Sequence, residues 1–193
     1  MRLIFLGPPG AGKGTQASIL GKNLGILHIS TGELLRKERK EKTKRGVEAQ
    51  SYIDRGALVP DRVVMEIVQE QLTKPEANEG WILDGFPRNV SQVSALYELL
   101  IEMSQKSYDC AVSFDVPELV LVERLKKRAI KEGRTDDTPE VLRNRLKSYH
   151  DETSPLIQFY SDRQKLEIIN GFMSREAVTG ALKEVVEDLK KSM

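Results

Sequence analysis

Gly7-Pro8-Pro9-Gly10-Ala11-Gly12-Lys13-Gly14-Thr15 joins an apolar run, Arg2-Leu3-Ile4-Phe5-Leu6, to a helical pattern that runs from about residue 12 to residue 24 and stops at Gly25. The glycines free the backbone to turn its N–H groups inward, so that they converge on an anion. The helix that follows adds the positive end of its dipole. Lys13 brings a point charge suited to the β- and γ-phosphates of a nucleotide, and Thr15 a hydroxyl suited to the neighbourhood of Mg²⁺. In the strict pattern the hydroxyl residue follows the lysine directly, whereas here Gly14 intervenes. The strand–loop–helix setting favours this reading over a glycine-rich turn with an exposed lysine.

The rest of the chain repeats the strand–helix alternation. Short strands are expected at 26–29, 81–84, 110–114 and 166–169, in addition to 2–6. Helices are expected from Ser30, over 47–55, from Asp61 to before Pro75, over 90–103, from Pro117 to about 131, in a long stretch broken near Pro155, and from Arg175 to the end. Ser30 stands three residues before Glu33, the spacing of a capping box. Asp61 is read as a helix cap. The alternation predicts a parallel sheet of five strands covered on both faces, within one domain spanning 1–193. The helical stretch 30–59 and the polar loop near 131–138 fit that rhythm poorly and read as excursions from the core.

Composition narrows the function. A chain of 193 residues can bury a core without staples. Lys plus Arg number 30 against 29 for Asp plus Glu, which excludes a globally basic nucleic-acid binder. The single cysteine, Cys110, excludes an internal disulfide and a Cys₄ or Cys₂His₂ zinc site, and points to a reducing compartment. No apolar run is long enough for a membrane span, and no secretory leader is expected. The charged run 36–45, with Glu38 and Glu41 interleaved, reads as a solvated helix face. His28 and His150 read as structural.

Phosphate chemistry needs fixed cations, and arginine suits because its planar fork binds phosphate oxygens bidentately. Arg88 follows Asp84-Gly85-Phe86-Pro87 at a strand end, a place that aims it into the crevice at the sheet's carboxyl edge. Asp84 suits Mg²⁺ held through water. Arg124 and Arg128, at i and i+4, share a helix face. With Lys126 and Lys127 beside them they read, taken alone, as a solvated basic face.

The form Gly-x-Pro-Gly-x-Gly-Lys-Gly-Thr resembles the nucleoside monophosphate kinases, and most closely the adenylate kinases in their short-lid form. Asp84-Gly85-Phe86-Pro87-Arg88 is similar to a second signature of that family, Ser30-Thr31-Gly32-Glu33-Leu34-Leu35-Arg36 to a third, and Gly133-Arg134-x-Asp136-Asp137 with Arg145 to a fourth. They come in the family's order and span nearly the whole chain. The resemblance implies a P-loop NTPase, an α/β doubly wound five-stranded parallel sheet with a helical nucleoside-monophosphate-binding excursion at 30–59 and a short lid at 127–137. It implies reversible phosphoryl transfer from Mg-ATP to AMP, giving two ADP, in adenine nucleotide homeostasis. It further implies a cytoplasmic monomer with ATP, AMP and ADP as partners, Mg²⁺ as cofactor, no zinc, and no nucleic acid or membrane.

By the same resemblance Lys13, Arg88, Arg124, Arg134 and Arg145 act in catalysis. Gly10, Ala11, Gly12, Lys13, Gly14 and Thr15, with Arg128 and Met173, surround ATP. Thr31, Arg36, Ala57, Leu58, Val59, Gly85, Phe86, Pro87, Arg88 and Gln92, with Arg134 and Arg145, surround AMP. Asp136 and Asp137 belong to the lid, and Asp84 and Thr15 to Mg²⁺. Only eight residues separate Arg128 from Asp137, too few for the zinc-binding Cys₄ insert of long-lid relatives. Asn89 resembles the UMP/CMP kinases instead, while Thr31 and Gln92 resemble the AMP-specific enzymes. A UMP/CMP kinase and a non-catalytic nucleotide-sensing module remain as alternatives. A GTPase is disfavoured because no Asn-Lys-x-Asp motif occurs.

Overall fold

The structure, a computed structural model, describes residues 1–132 and 138–192. Five strands form one parallel sheet: β1 (Arg2–Leu6), β2 (Leu27–Ser30), β3 (Trp81–Asp84), β4 (Cys110–Asp115) and β5 (Leu166–Asn170), in the order β2-β3-β1-β4-β5. β1 is central because its residues are apolar on both faces. Leu3 and Phe5 join one buried cluster, and Ile4 and Leu6 the other. The expected doubly wound sheet of five parallel strands is the one observed, with β2 shifted by one residue.

The helices are α1 (Lys13–Leu24), α2 (Thr31–Lys40), α3 (Lys44–Arg55), α4 (Asp61–Leu72), α5 (Val90–Glu102), α6 (Glu118–Glu132), α7 (Pro139–Ser148), α8 (Pro155–Ser161) and α9 (Arg175–Ser192). One face of the sheet carries α2 to α5 with α8, through Val63, Ile67, Leu96 and Tyr160. The other carries α1 and α9, through Ala17, Leu20, Leu182 and Val186. Trp81 and Leu83 face the first cluster and Ile82 the second, so β3 is buried from both sides.

Several local expectations are corrected. Ser30 makes no side-chain bond to the helix it precedes; its hydroxyl donates instead to Asp84 Oδ2 at 3.4 Å. Asp61 is not the cap of α4 either, since that position is Pro60. The run 36–45 divides into the end of α2, a turn at Lys42 with φ 53, and the start of α3, where Thr43 accepts from the Gly46 N–H. Within that run Arg45 is not merely solvated. Its Nη2 bridges Glu38 of α2 and Glu70 of α4, each at 2.8 Å, and so pins the 30–59 excursion to α4. The stretch after Pro139 breaks earlier than Pro155, at a π-helical turn over Tyr149–Thr153.

The sheet order sets the site. β1 has β3 on one side and β4 on the other, so chains leaving their carboxyl ends diverge and open a crevice there. Phe5 pairs with Asp84 and Leu6 with Ser113, which brings the ends of all three strands to one level.

Candidate active site

A cleft of about 650 Å³ lies along that edge. The loop 7–12 forms its floor. Gly10 and Gly12 have φ of 87° and 97°, a region that side chains rarely adopt. At Gly10 a β-carbon would also lie 3.0 Å from Leu125 Cγ and 3.2 Å from the Leu121 carbonyl. The loop is therefore packed against α6 as closely as it can be. Ala11 is buried at its base, and Gly14 and Thr15 line the cleft at the first turn of α1.

Lys13 Nζ donates to the carbonyls of Gly7 at 2.6 Å and Pro8 at 3.0 Å, both in its own loop. Burial pushes its pKa down to about 8; Asp84 opposes that shift, and Arg88 and Arg128 add to it. Arg88 donates from Nε to the Gly85 carbonyl at 2.7 Å. Its pKa is lowered by burial and then by the neighbouring Arg145, with Asp84 and Glu152 opposing. Both shifts have the same meaning: positive charge has been gathered here out of water, and an anion entering the cleft relieves it.

The lining makes the same point by composition. Among the described residues nine Lys and Arg side chains face the cleft against two carboxylates, Glu33 and Asp84, although the chain's net charge is only +1. Arg36 lies over Gly32 on α2, where a β-carbon would sit 3.5 Å from its Nη1. Arg124 donates from Nη1 to the Gly171 carbonyl at 3.0 Å, and Arg128 and Met173 line the same end. Arg145, on α7, faces the opposite end; a β-carbon at Gly56 would meet its Cγ at 3.2 Å and the Val141 carbonyl at 2.6 Å. Arg124 and Arg128, which taken alone read as a solvated basic face, line the cleft, and Lys127 and Lys131 join them there.

Asp84 ends β3 beside the loop. Burial raises its carboxyl, but His28, Lys13 and Arg88 outweigh it and hold it below the usual carboxylate range. His28 Nε2 stands 3.7 Å from the Asp84 carboxylate. A β-carbon at Gly14 would lie 3.2 Å from Asp84 Oδ2. A single carboxylate kept ionised, open to the loop, with the Thr15 hydroxyl lining the same cleft, fits a Mg²⁺ ion that keeps most of its water and takes phosphate oxygens.

The far half of the cleft is lined by Thr31, Arg36, Ala57, Leu58, Val59, Gly85, Pro87 and Gln92. Thr31 Oγ1 donates to the Asp84 and Gly85 carbonyls, at 3.3 and 3.0 Å. Gly85, with φ 82°, is where a side chain cannot go: its β-carbon would lie 2.9 Å from Thr31 Oγ1 and 3.2 Å from Arg88 Nη2. Phe86 does not line the cleft; it is fully buried among Leu83, Leu96 and their neighbours in the core. Arg134, Asp136 and Asp137 lie outside the described residues. Asn89, the one residue that resembled the pyrimidine enzymes, caps α5: its Oδ1 accepts from the Gln92 N–H at 2.9 Å and from Ser91 Oγ at 2.7 Å.

The profile of a family described as adenylate kinase matches residues 5–165. The chain is 55% identical over 182 residues to adenylate kinase 1 of Nostoc sp., covering 94% of this chain and 96% of that one. It is 50% identical over 181 residues to the adenylate kinase of Leptospira biflexa, covering 94% and 97%. To the adenylate kinase of Mycobacterium tuberculosis it is 52% identical over 165 residues, covering 86% and 88%.

Proposed function

The chain belongs to the adenylate kinase family, and on that premise we propose which of its groups carry each part of the reaction. It is a phosphotransferase that moves a phosphoryl group from ATP to AMP, reversibly, giving two ADP. The observation that carries the residue assignments is the single cleft in which the glycine loop and Lys13 meet Arg88, Arg124, Arg128 and Arg145.

ATP lies with its phosphates on the N–H groups of the loop and its base toward Arg128 and Met173. AMP lies in the far half, its phosphate on Arg36, Arg88 and Arg145 and its base toward Gln92 and the backbone at 57–59. An oxygen of the AMP phosphate attacks the γ-phosphorus; the bond to the β–γ bridging oxygen breaks and ADP leaves from each half. Charge spreads over the transferred group as it moves, and cations fixed in advance stabilise it without reorganising. Lys13 leaves the carbonyls of its own loop to follow that charge. Arg88 and Arg124 hold the two ends in line, and Arg134 completes the set from the lid. Mg²⁺, when bound with ATP through Asp84 and Thr15, neutralises phosphate charge. No side-chain nucleophile takes part, because the AMP phosphate is one already.

Segments 30–59 and 127–137 close over the nucleotides to exclude water, which otherwise competes as acceptor. A bisubstrate mimic, two adenosines joined by five phosphates, is expected to slow amide exchange over 31–55 more than in the sheet; unchanged exchange there contradicts closure. The protein acts as a cytoplasmic monomer; the lone cysteine, Cys110, buried in β4, suits a reducing compartment.

The direct test is ³¹P NMR of the protein with Mg-ATP and AMP together and separately. ADP appears only with both present. Binding without ADP formation is the outcome a nucleotide sensor gives and refutes the proposal.

A further inference from the structure

Gln92 is held at both ends of its amide. Its Oε1 accepts from the backbone N–H of Arg88 at 2.7 Å, and its Nε2 donates to Asp61 Oδ1 at 2.7 Å. A backbone N–H can only donate and the Asp61 carboxylate oxygen here can only accept, so the two partners together permit one orientation of the amide. Gln92 is 2% exposed, so no bulk water stands ready to replace either partner. Each end keeps one unused valence, a lone pair on Oε1 and an N–H on Nε2. Asp61 Oδ2 lies 2.9 Å from Ser91 Oγ, whose one proton is shared with Asn89 Oδ1 at 2.7 Å.

We infer that Asp61 is a specificity-determining positioning residue: by holding Gln92 Nε2, it fixes the donor–acceptor polarity that the acceptor base meets. The inference rests on AMP as the acceptor and on Gln92 as the reader of its base. Adenine presents its N6 amino donor beside a ring-nitrogen acceptor, and a fixed amide with one lone pair and one N–H matches that pair. Hypoxanthine is nearly the same shape but accepts at O6 where adenine donates at N6. An amide that cannot turn over rejects it; one that can turn accommodates it. Asp61 makes this selection without touching the nucleotide, because it does not line the cleft. The same lock reaches the phosphate end, since Gln92 Oε1 holds the Arg88 backbone.

The test is kcat/KM for AMP and for IMP, with Mg-ATP as donor, in the wild type, Asp61→Ala and Asp61→Asn, each first shown to be folded by its thermal transition. The wild type prefers AMP. In Asp61→Ala the AMP-to-IMP ratio falls by about tenfold or more, the scale of one lost hydrogen bond to a charged partner, through a raised KM for AMP with KM for ATP nearly unchanged. Asp61→Asn offers Gln92 either an oxygen or an amino group, so the lock is weakened and the ratio falls part of the way. An Asp61→Ala protein that keeps the wild-type ratio overturns the role of Asp61 alone; should it fail to fold, an Asp61→Asn protein that keeps the wild-type ratio overturns it as well. A wild type indifferent to AMP and IMP overturns the adenine-reading assignment of Gln92, and this inference with it.

Discussion

A β-carbon at Gly14 would sit 3.2 Å from Asp84 Oδ2, so the glycine that separates Lys13 from Thr15 is what lets the β3 carboxylate stand against the first turn of α1. The departure from the strict lysine–hydroxyl pattern has a steric reason. Gly14→Ala adds a good helix former to α1, worth up to about 1 kcal/mol of stability, but pushes the carboxylate aside. The expected result is a thermal midpoint at or above that of the wild type with a higher Mg²⁺ concentration for half-maximal rate. An unchanged Mg²⁺ dependence contradicts the role given to Asp84.

Arg88 is held by the Gly85 carbonyl and repelled by Arg145. Arg88→Ala therefore removes a desolvated cation that contributes little to the empty fold and much to the charged transition state. Activity should fall by about 10²-fold or more with the thermal midpoint within a few degrees of the wild type. A folded Arg88→Ala protein with wild-type turnover removes that arginine from the mechanism.

Lys13 gives a pH signature. Burial brings its pKa down to about 8, against an ordinary value of 10.5. Between those two values the unfolded chain holds a proton that the folded chain has lost, so stability rises with pH across that window. Below it, keeping the buried ammonium charged costs stability. Polyphosphate at the loop raises the lysine again, so nucleotide binding takes up a proton in the window and weakens as pH rises. Calorimetry at about pH 8.5 in two buffers of different ionisation enthalpy should show that uptake in the wild type and not in Lys13→Met. Buffer-independent heats in the wild type contradict it.

The strands were legible because each is a short apolar run closed by a turn residue, and β1 in particular alternates Leu3 and Phe5 against Ile4 and Leu6. The glycine loop was legible because its spacing serves one backbone shape. Short polar side chains were not, since what they bond depends on which element folds beside them. Ser30 looked like a cap and donates to Asp84. Asp61 looked like a cap and holds Gln92, 31 residues away. Asn89 resembled the UMP/CMP kinases and is the cap of α5. Phe86 sits inside a signature stretch, yet the strand end turns its ring into the core. Lys127 looked like surface charge; only the packing of α6 against the loop shows that its side of the helix, with Lys131, borders the cleft.

The central claim is that this cleft joins ATP to AMP in preference to other acceptors, and the most direct measurement is kcat/KM for AMP, UMP, CMP and GMP with saturating Mg-ATP in a coupled assay. AMP is predicted to be the best acceptor, because Thr31 and Gln92 face the far half of the cleft while the Asn89 side chain caps α5. Equal or higher values with UMP or CMP contradict the account.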